Sequence, residues 1–394
     1  MRLFGAATKK LFFVACILAM IIFLLAYPER CLKSARFGLN LWFLTVLPSL
    51  FPFMAASYIL IDTGIVRLFS FVFAPATRFL FSAPGESAYI LFASAFSGYP
   101  AGAALASELY GKKQLSESDA QSVIRFTSTS GPVFIMGAVA AGMLGSPRSG
   151  ACLAAAHYLS AIFTGIVFGL FRSGSAGESR PFGETLRRFK DELARCGAFG
   201  DMLAGSAEKA LFALLRIGGL IIFFSVVMEI LSASGIADAA AFLYSPFAKL
   251  TGLEQQSVKA ILLGGVEMTN GCAIASAAPL NLAQKLPVVS AIIAFGGVCV
   301  HMQTRSVCAR NGLKLKGFVY AKSIQSFFAY TLCALFLALS GGIPAGMRGA
   351  AYTGMAAAAL TLAAFAAVKI SRKIKKRACA LSRFPSSLSS RGKL

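Results

Sequence analysis

Apolar runs of membrane-crossing length dominate this chain. A bilayer's hydrocarbon core asks for about 20 consecutive apolar residues, within a range of roughly 17–25. Such runs lie at residues 11–27, 39–61, 88–107, 123–144, 151–171, 210–231, 258–278, 287–307, 318–339 and 350–368. Backbone groups in hydrocarbon must be satisfied within the protein, and helices do this segment by segment. The expected fold class is all-α: a polytopic helical integral membrane protein. Hydrophobic residues make up 57% of the 394 positions and charged residues 14%. A soluble domain carries about 25% charged residues, so the chain lacks the surface it would need in water. Disorder, a coiled coil and a secreted disulfide scaffold are excluded as well.

Lysine and arginine number 38 against 16 acids, a net charge of +22. A basic, oily chain suggests either nucleic acid or the cytoplasmic face of a membrane. Nine basic residues crowd the last 26 positions, from Lys369 to Lys393, with no acid among them. The tail's single aromatic, Phe384, does not make an interleaved stacking surface, so no nucleic-acid partner is expected. Positive residues beside membrane ends stay in the cytoplasm. The tail therefore places the C-terminus inside, and Lys9 and Lys10 place the N-terminus there too. Arg30, Lys33 and Arg36 conflict with this, because they would lie outside. Residues 11–27 resemble a signal peptide, but Tyr27-Pro28-Glu29 is a poor cleavage site. They are expected to be an uncleaved first membrane helix. The nine cysteines form no C-x-x-C pair and read as small hydrophobes.

An internal repeat organises the chain. Asp62-Thr63-Gly64-Ile65-Val66, Ala74-Pro75 and Arg78-Phe79 return about 171 residues later. Their counterparts are Ala233-Ser234-Gly235-Ile236-Ala237, Ser245-Pro246 and Lys249-Leu250. Gly102–Ser107 matches Gly271–Ser276, and Ser130-Gly131-Pro132-Val133 matches Phe295-Gly296-Gly297-Val298. Each half reads as a spanning helix, an interfacial amphipathic helix, and two apolar segments broken in the middle. Interrupted segments at corresponding positions of two repeats point to a transporter binding site. Whether the repeats are inverted depends on how many broken segments are hairpins. The expected organisation is an N-terminal membrane helix (1–35), a first repeat (36–171), a polar connector (172–208) and a second repeat (209–310). C-terminal membrane helices (311–368) and a basic cytoplasmic tail (369–394) follow.

Four breaks carry the candidate chemistry. In residues 94–102, Pro100 removes a backbone donor and disfavours helix at Tyr99, while Gly98 permits unwinding. Ser97, Gly98 and Pro100 then either line a site or mark a packed kink. Thr127, Ser128, Thr129 and Ser130 precede Gly131-Pro132. Four hydroxyls can satisfy freed backbone groups or coordinate a ligand; a loop between helices is the alternative. Glu267 lies inside an otherwise uncharged run beside Thr269 and Asn270. An ionisable group at membrane depth costs about 2.5–3.5 kcal/mol on insertion scales, so it is a functional candidate by default. It would carry a proton or cation or accept from a substrate; a protonated structural glutamate is the alternative. His301 and Gln303 close the fourth break, and His157 reads more simply as packing or as a backbone hydrogen-bond partner. No carboxylate pair, H-E-x-x-H, nucleophile elbow or phosphate-cradling loop occurs. Neither enzyme activity nor a cofactor is expected, and nothing specifies a metal.

Several of these residues carry a family resemblance. They are Leu41-Trp42-Phe43, residues 47–53 (Leu-Pro-Ser-Leu-Phe-Pro-Phe), Ser97–Gly102, Phe126–Ile135, His157–Ser160 and Glu267–Cys272. In this order the chain resembles the sporulation integral membrane protein YlbJ family, within the gate or nucleoside-recognition superfamily. The resemblance covers roughly residues 35 to 335. It departs at Ser128 and Gly131, where members usually carry asparagine, and at Ala104, where they often carry lysine. The resemblance implies a role in endospore formation at the cortex stage, in a sporulation membrane. The bilayer, a small polar solute or ion, and a second copy or other sporulation membrane proteins are the partners that follow. Nothing in the broken segments selects a nucleoside. A membrane scaffold recruiting cortex machinery is the competing function.

Overall fold

The computed structural model describes residues 2–172, 181–251, 254–340 and 359–368, with positions 352, 355, 356 and 371. The basic tail read from the sequence lies outside the described residues, apart from Ser371. Every regular element among them is helical. Four helices are long and apolar enough to cross a bilayer, or up to six if each sharply bent pair is one span.

The first repeat begins with a helix that runs unbroken from residue 28 to residue 62. It comprises α2 (Pro28–Leu41), a π-helical turn (Trp42–Val46) and α3 (Leu47–Asp62). The preceding α1 (Arg2–Ala26) meets it at a bend of 108°. Gly64 then takes a left-handed conformation (φ 75°) that few other residues adopt, and the chain turns by 90° into α4 (Ile65–Phe81). Phe71, Val72 and Phe79 stand exposed on α4, as an interfacial helix requires. Next come α5 (Glu86–Ser97), α6 (Ala101–Gly111) and α7 (Glu117–Thr127), then a π-helical segment (Val133–Met143) and α8 (Ser149–Leu170).

After α9 (Phe182–Ala194) the same order returns. The helix α10 (Phe199–Ala233) is followed by Gly235, again left-handed (φ 71°), and by α11 (Ile236–Thr251). Then come α12 (Gln255–Val266), α13 (Met268–Ala277), α14 (Leu282–Phe295), α15 (Gly297–Ala309) and α16 (Phe318–Leu339). The long helix, interfacial helix, two short helices, interrupted helix and closing helix recur in order. The two repeats expected from spacing are present.

Side-chain contacts sort the helix ends into two faces. On one face Lys112, after α6, pairs with Asp62 at the end of α3. Lys209 of α10 reaches Asp62 and Glu108 at 3.4 and 3.3 Å. Arg172, after α8, pairs with Asp119 at the start of α7. Asn311, after α15, donates to the Ser107 carbonyl of α6 (3.0 Å). On the other face Arg30, at the start of α2, pairs with Glu229 near the end of α10 at 2.8 Å. Lys259 of α12 pairs with Asp238 of α11. Lys285 of α14 donates to the Ser276 carbonyl of α13 (2.6 Å). The 28–62 helix and α10 thus run antiparallel, with Gly38 packed on Ser225 and the Trp42 indole donating to the Leu214 carbonyl (2.9 Å). Arg30, one of the three basic residues that conflict with the orientation expected from the sequence, pairs with Glu229.

The short helix pairs are hairpins. Across the first tip, a β-carbon at Gly102 would lie 2.7 Å from Ser94 Oγ. Across the second, one at Gly271 would lie 2.2 Å from Gly264 Cα and 3.0 Å from the Ala260 carbonyl. Both contacts join residues on opposite sides of a break. The first hairpin has its ends on the Asp62 face and the second on the Glu229 face. The repeats are therefore inverted. No arm of either hairpin is among the helices long and apolar enough to cross a bilayer, so the apolar runs at 88–107 and 258–278 each fold back on themselves.

Candidate functional site

Each hairpin tip rests on the interruption of the helix that follows it. At the first tip Gly98 is left-handed (φ 87°) and Pro100 lacks an N–H, so α5 cannot continue. A β-carbon at Gly98 would stand 2.8 Å from the Gly131 nitrogen. The tip thus lies against the unwound stretch between α7 and the π-helical segment. At the second tip the chain is extended at Glu267, and a β-carbon at Gly297 would stand 2.8 Å from the Gly264 carbonyl. The gap between α14 and α15 is the left-handed Gly296 (φ 80°). Tyr99 joins the two halves: its hydroxyl donates to the carbonyls of Ala294 (3.1 Å) and Ile293 (3.4 Å), freed where α14 stops.

The hydroxyl cluster is buried. Thr127, Ser128 and Thr129 are 0% exposed and Ser130 is 2% exposed. Buried backbone groups need partners, and this unwound stretch finds them in side chains. Ser130 N–H donates to His157 Nε2 (2.9 Å), and the Tyr158 hydroxyl donates to the carbonyls of Ser130 (3.0 Å) and Ala95 (2.9 Å). Thr129 N–H donates to Ser94 Oγ (3.4 Å). Thr127 Oγ1 bonds back to the Val123 carbonyl, and Ser97 Oγ to the Ala93 carbonyl. These two hydroxyls are thereby committed to their own helices.

Glu267 is 8% exposed and caps α13. Its carboxylate accepts from Thr269 N (3.0 Å), Asn270 N (2.8 Å) and Asn270 Nδ2 (3.0 Å). A carboxylate is well placed at a helix N-terminus, where unpaired N–H groups and the helix dipole converge. Two carboxylate oxygens offer about four acceptor positions, so bonding capacity remains. His301 Nε2 lies 3.0 Å from the Phe295 carbonyl, and Gln303 donates to Cys299 Sγ at 3.3 Å. Both brace the fourth break from within the second repeat.

One residue at the centre was not singled out from the sequence. Lys322 of α16 is 0% exposed. Its ammonium donates to the Ser128 carbonyl and to Gln325 Oε1 (2.6 Å), and lies 5.2 Å from the Tyr99 ring centre and 5.4 Å from that of Phe318. No acid among the described residues pairs with it. The signal was available: a single cation inside the 318–339 run costs as much to insert as Glu267 does.

A concavity lies on the Asp62 face. It encloses about 510 Å³, lined by Arg67, Glu86, Lys112, Lys113, Asp119 and Arg188 among others. Several of its charges are paired with residues outside its lining. Arg67 pairs with Glu192 of α9, whose hydrogen bond raises the guanidinium pKa, and Arg188 pairs with Glu184 (2.9 Å). Burial pushes the Glu86 carboxyl up. Among the described residues no cluster of three or more His, Cys, Asp or Glu could hold a metal.

Two comparisons bear on this architecture. The family model described as Gate, nucleoside recognition, matches residues 43–147 and 214–312, more than half of the chain. The chain belongs to the Gate family. The two matched segments begin in the paired long helices and include both hairpins and both interrupted helices. Sporulation integral membrane protein YlbJ of Bacillus subtilis (strain 168) is 31% identical over 321 residues, 77% of each chain. No solved structure matches. This Gate-family chain is thus a multi-pass helical membrane protein with a relative named for sporulation.

Proposed function

We propose that the protein moves a small polar solute or ion across a sporulation membrane, through the site where the hairpin tips meet the interrupted helices. The observation that carries this is the convergence of broken backbone from two inverted repeats. Irregular backbone at membrane depth is tolerated only inside protein or beside a water-filled path, and inverted repeats built this way support alternating access. Gly98, Pro100, Ser128, Thr129 and Ser130 would contribute from the first repeat. Glu267, Thr269, Asn270, His301 and Gln303 would contribute from the second, with Glu267 coupling or coordinating. The Asp62 face, bearing Lys112, Arg172, Lys209 and Arg310 near its helix ends, would be cytoplasmic by the positive-inside rule. Phe365 packs on Phe79 of α4, which supports a cytoplasmic exit for the tail. The relative's name and the family resemblance support a sporulation role, at cortex formation.

A scaffold recruiting cortex machinery is the second reading, favoured by the docking of α9 on α4 through Arg67 and Glu192. Deleting residues 173–198 separates the two when scored beside Ser130→Val and Asn270→Leu in sporulating cells. Transport predicts that the point changes abolish heat-resistant spores while the deletion retains most of them. The reverse pattern supports the scaffold and contradicts transport.

A further inference from the structure

Hydrogen-bond donors outnumber acceptors around Lys322. Ser130 N–H donates to His157 Nε2, so that nitrogen is the acceptor and the neutral ring carries its proton on Nδ1. His157 Nδ1 has no partner, although the residue is 0% exposed. Gln325 gives its Oε1 to Lys322 and leaves Nε2, with two N–H groups, unpartnered at 0% exposure. Ser128 Oγ is also buried without a partner, directly beside the carbonyl that Lys322 holds. Native proteins leave few buried polar groups unpaired, and such groups call for a missing partner. Gln325 Oε1 is already taken by the ammonium, and Ser128 Oγ, which can accept as well as donate, supplies too few acceptor positions for the N–H groups gathered here. Glu267 bonds within its own cap and forms no ion pair with Lys322.

We infer that Lys322, Gln325, His157 and Ser128 form the receptor for a small oxyanion, a carboxylate or phosphate group of the transported solute. Three of the four belong to residues the sequence did not nominate as ligands. A cation would meet the Lys322 head group and donor N–H groups, so the site rejects it. A neutral nucleoside would leave the ammonium without a counter-charge. An oxyanion supplies several acceptor positions and forms charge-assisted bonds, which are about twice as strong as neutral ones. The ammonium rests on the Ser128 carbonyl and Gln325 Oε1. A bound oxyanion would draw it off these two acceptors. The Tyr99 ring beside the ammonium ties this exchange to the first hairpin tip and, through its hydroxyl, to the end of α14.

This inference rests on the transport proposal, and the experiment separates the two. Purified full-length protein is titrated at constant ionic strength with inorganic phosphate, malonate, uridine and tetramethylammonium. Thermal unfolding is followed, and uptake of each labelled probe is measured in vesicles. Phosphate or malonate should stabilise the protein saturably, and uridine and tetramethylammonium should not. Lys322→Met should weaken the oxyanion effect tenfold or more, and Lys322→Arg should restore part of it. Gln325→Leu, which keeps the ammonium, should weaken it severalfold and serves if Lys322→Met does not fold. Equal oxyanion binding in the folded variants overturns the receptor. Binding and uptake of uridine or tetramethylammonium alone overturn the receptor and leave transport standing. If none of the probes is bound or moved, the receptor falls, and transport loses its support here as well.

Discussion

Gly297→Ala is expected to cost about 3 kcal/mol, more than a hundredfold in the folded-to-unfolded ratio. Two independent penalties add. The residue holds φ at 74°, a left-handed conformation that costs an ordinary side chain about 1 kcal/mol or more. Its new β-carbon would also stand 2.8 Å from the Gly264 carbonyl and 2.9 Å from that of Val266. Both neighbours are backbone atoms at the second hairpin tip, so no rotamer relieves the contact, and overpacking of this kind costs about 1–3 kcal/mol. Gly219→Ala in α10 is the control: it is exposed, helical and has nothing within 4 Å. There alanine should gain up to about 1 kcal/mol through helix propensity. Thermal unfolding in detergent reads both. A Gly297→Ala protein as stable as the parent would mean that the hairpin tip does not press on the fourth break.

Glu267 supplies the second large effect, and two substitutions divide it. Glu267→Ala removes the acceptor of three hydrogen bonds at the start of α13. Loss of an N-cap costs about 1 kcal/mol, and each buried donor left unpaired adds about 1–3 kcal/mol. A loss near 3 kcal/mol is expected. Glu267→Gln keeps one acceptor oxygen and nearly the same shape, so it should lose only about 1 kcal/mol. Its solute flux should nonetheless fall tenfold or more if the charge couples transport. Flux equal to the parent's, with the fold intact, would confine Glu267 to capping.

Much of the fold was legible in the sequence because its causes are local. Membrane-length apolar runs dictate helices, and Gly64 and Gly235, about 171 residues apart, end the long helices in the same left-handed conformation. The breaks at Gly98-Tyr99-Pro100, Gly131-Pro132 and Gly296-Gly297 were visible for the same reason: glycine and proline act on their own backbone. Inversion was not legible. It depends on which faces the hairpin ends share, and pairs such as Lys112 with Asp62 and Arg30 with Glu229 join residues 50 and 199 positions apart. The site was half legible. Ser128 and Ser130 advertise themselves as hydroxyls beside a break, whereas Lys322 lies in an intact helix and gains meaning only from the Ser128 carbonyl across the fold. His157 makes a backbone hydrogen bond, one of the two structural roles its sequence context suggests, by accepting from the Ser130 N–H. Thr127 Oγ1 and Ser97 Oγ bond back to carbonyls of their own helices, and Gln303 donates to Cys299 Sγ in the preceding turn of α15, partners that hydroxyl and amide spacing alone does not reveal.

The central claim is that two inverted repeats bring hairpins in from opposite faces to one site. Single cysteines at Lys113 and Asn281, both exposed at the mouths of the two hairpins, test it most directly. In a background freed of native cysteines, a membrane-impermeant maleimide is applied to intact cells and to inverted vesicles. Lys113→Cys should label only in inverted vesicles and Asn281→Cys only in intact cells. Labelling of both from the same side would contradict the inverted architecture and the site built on it.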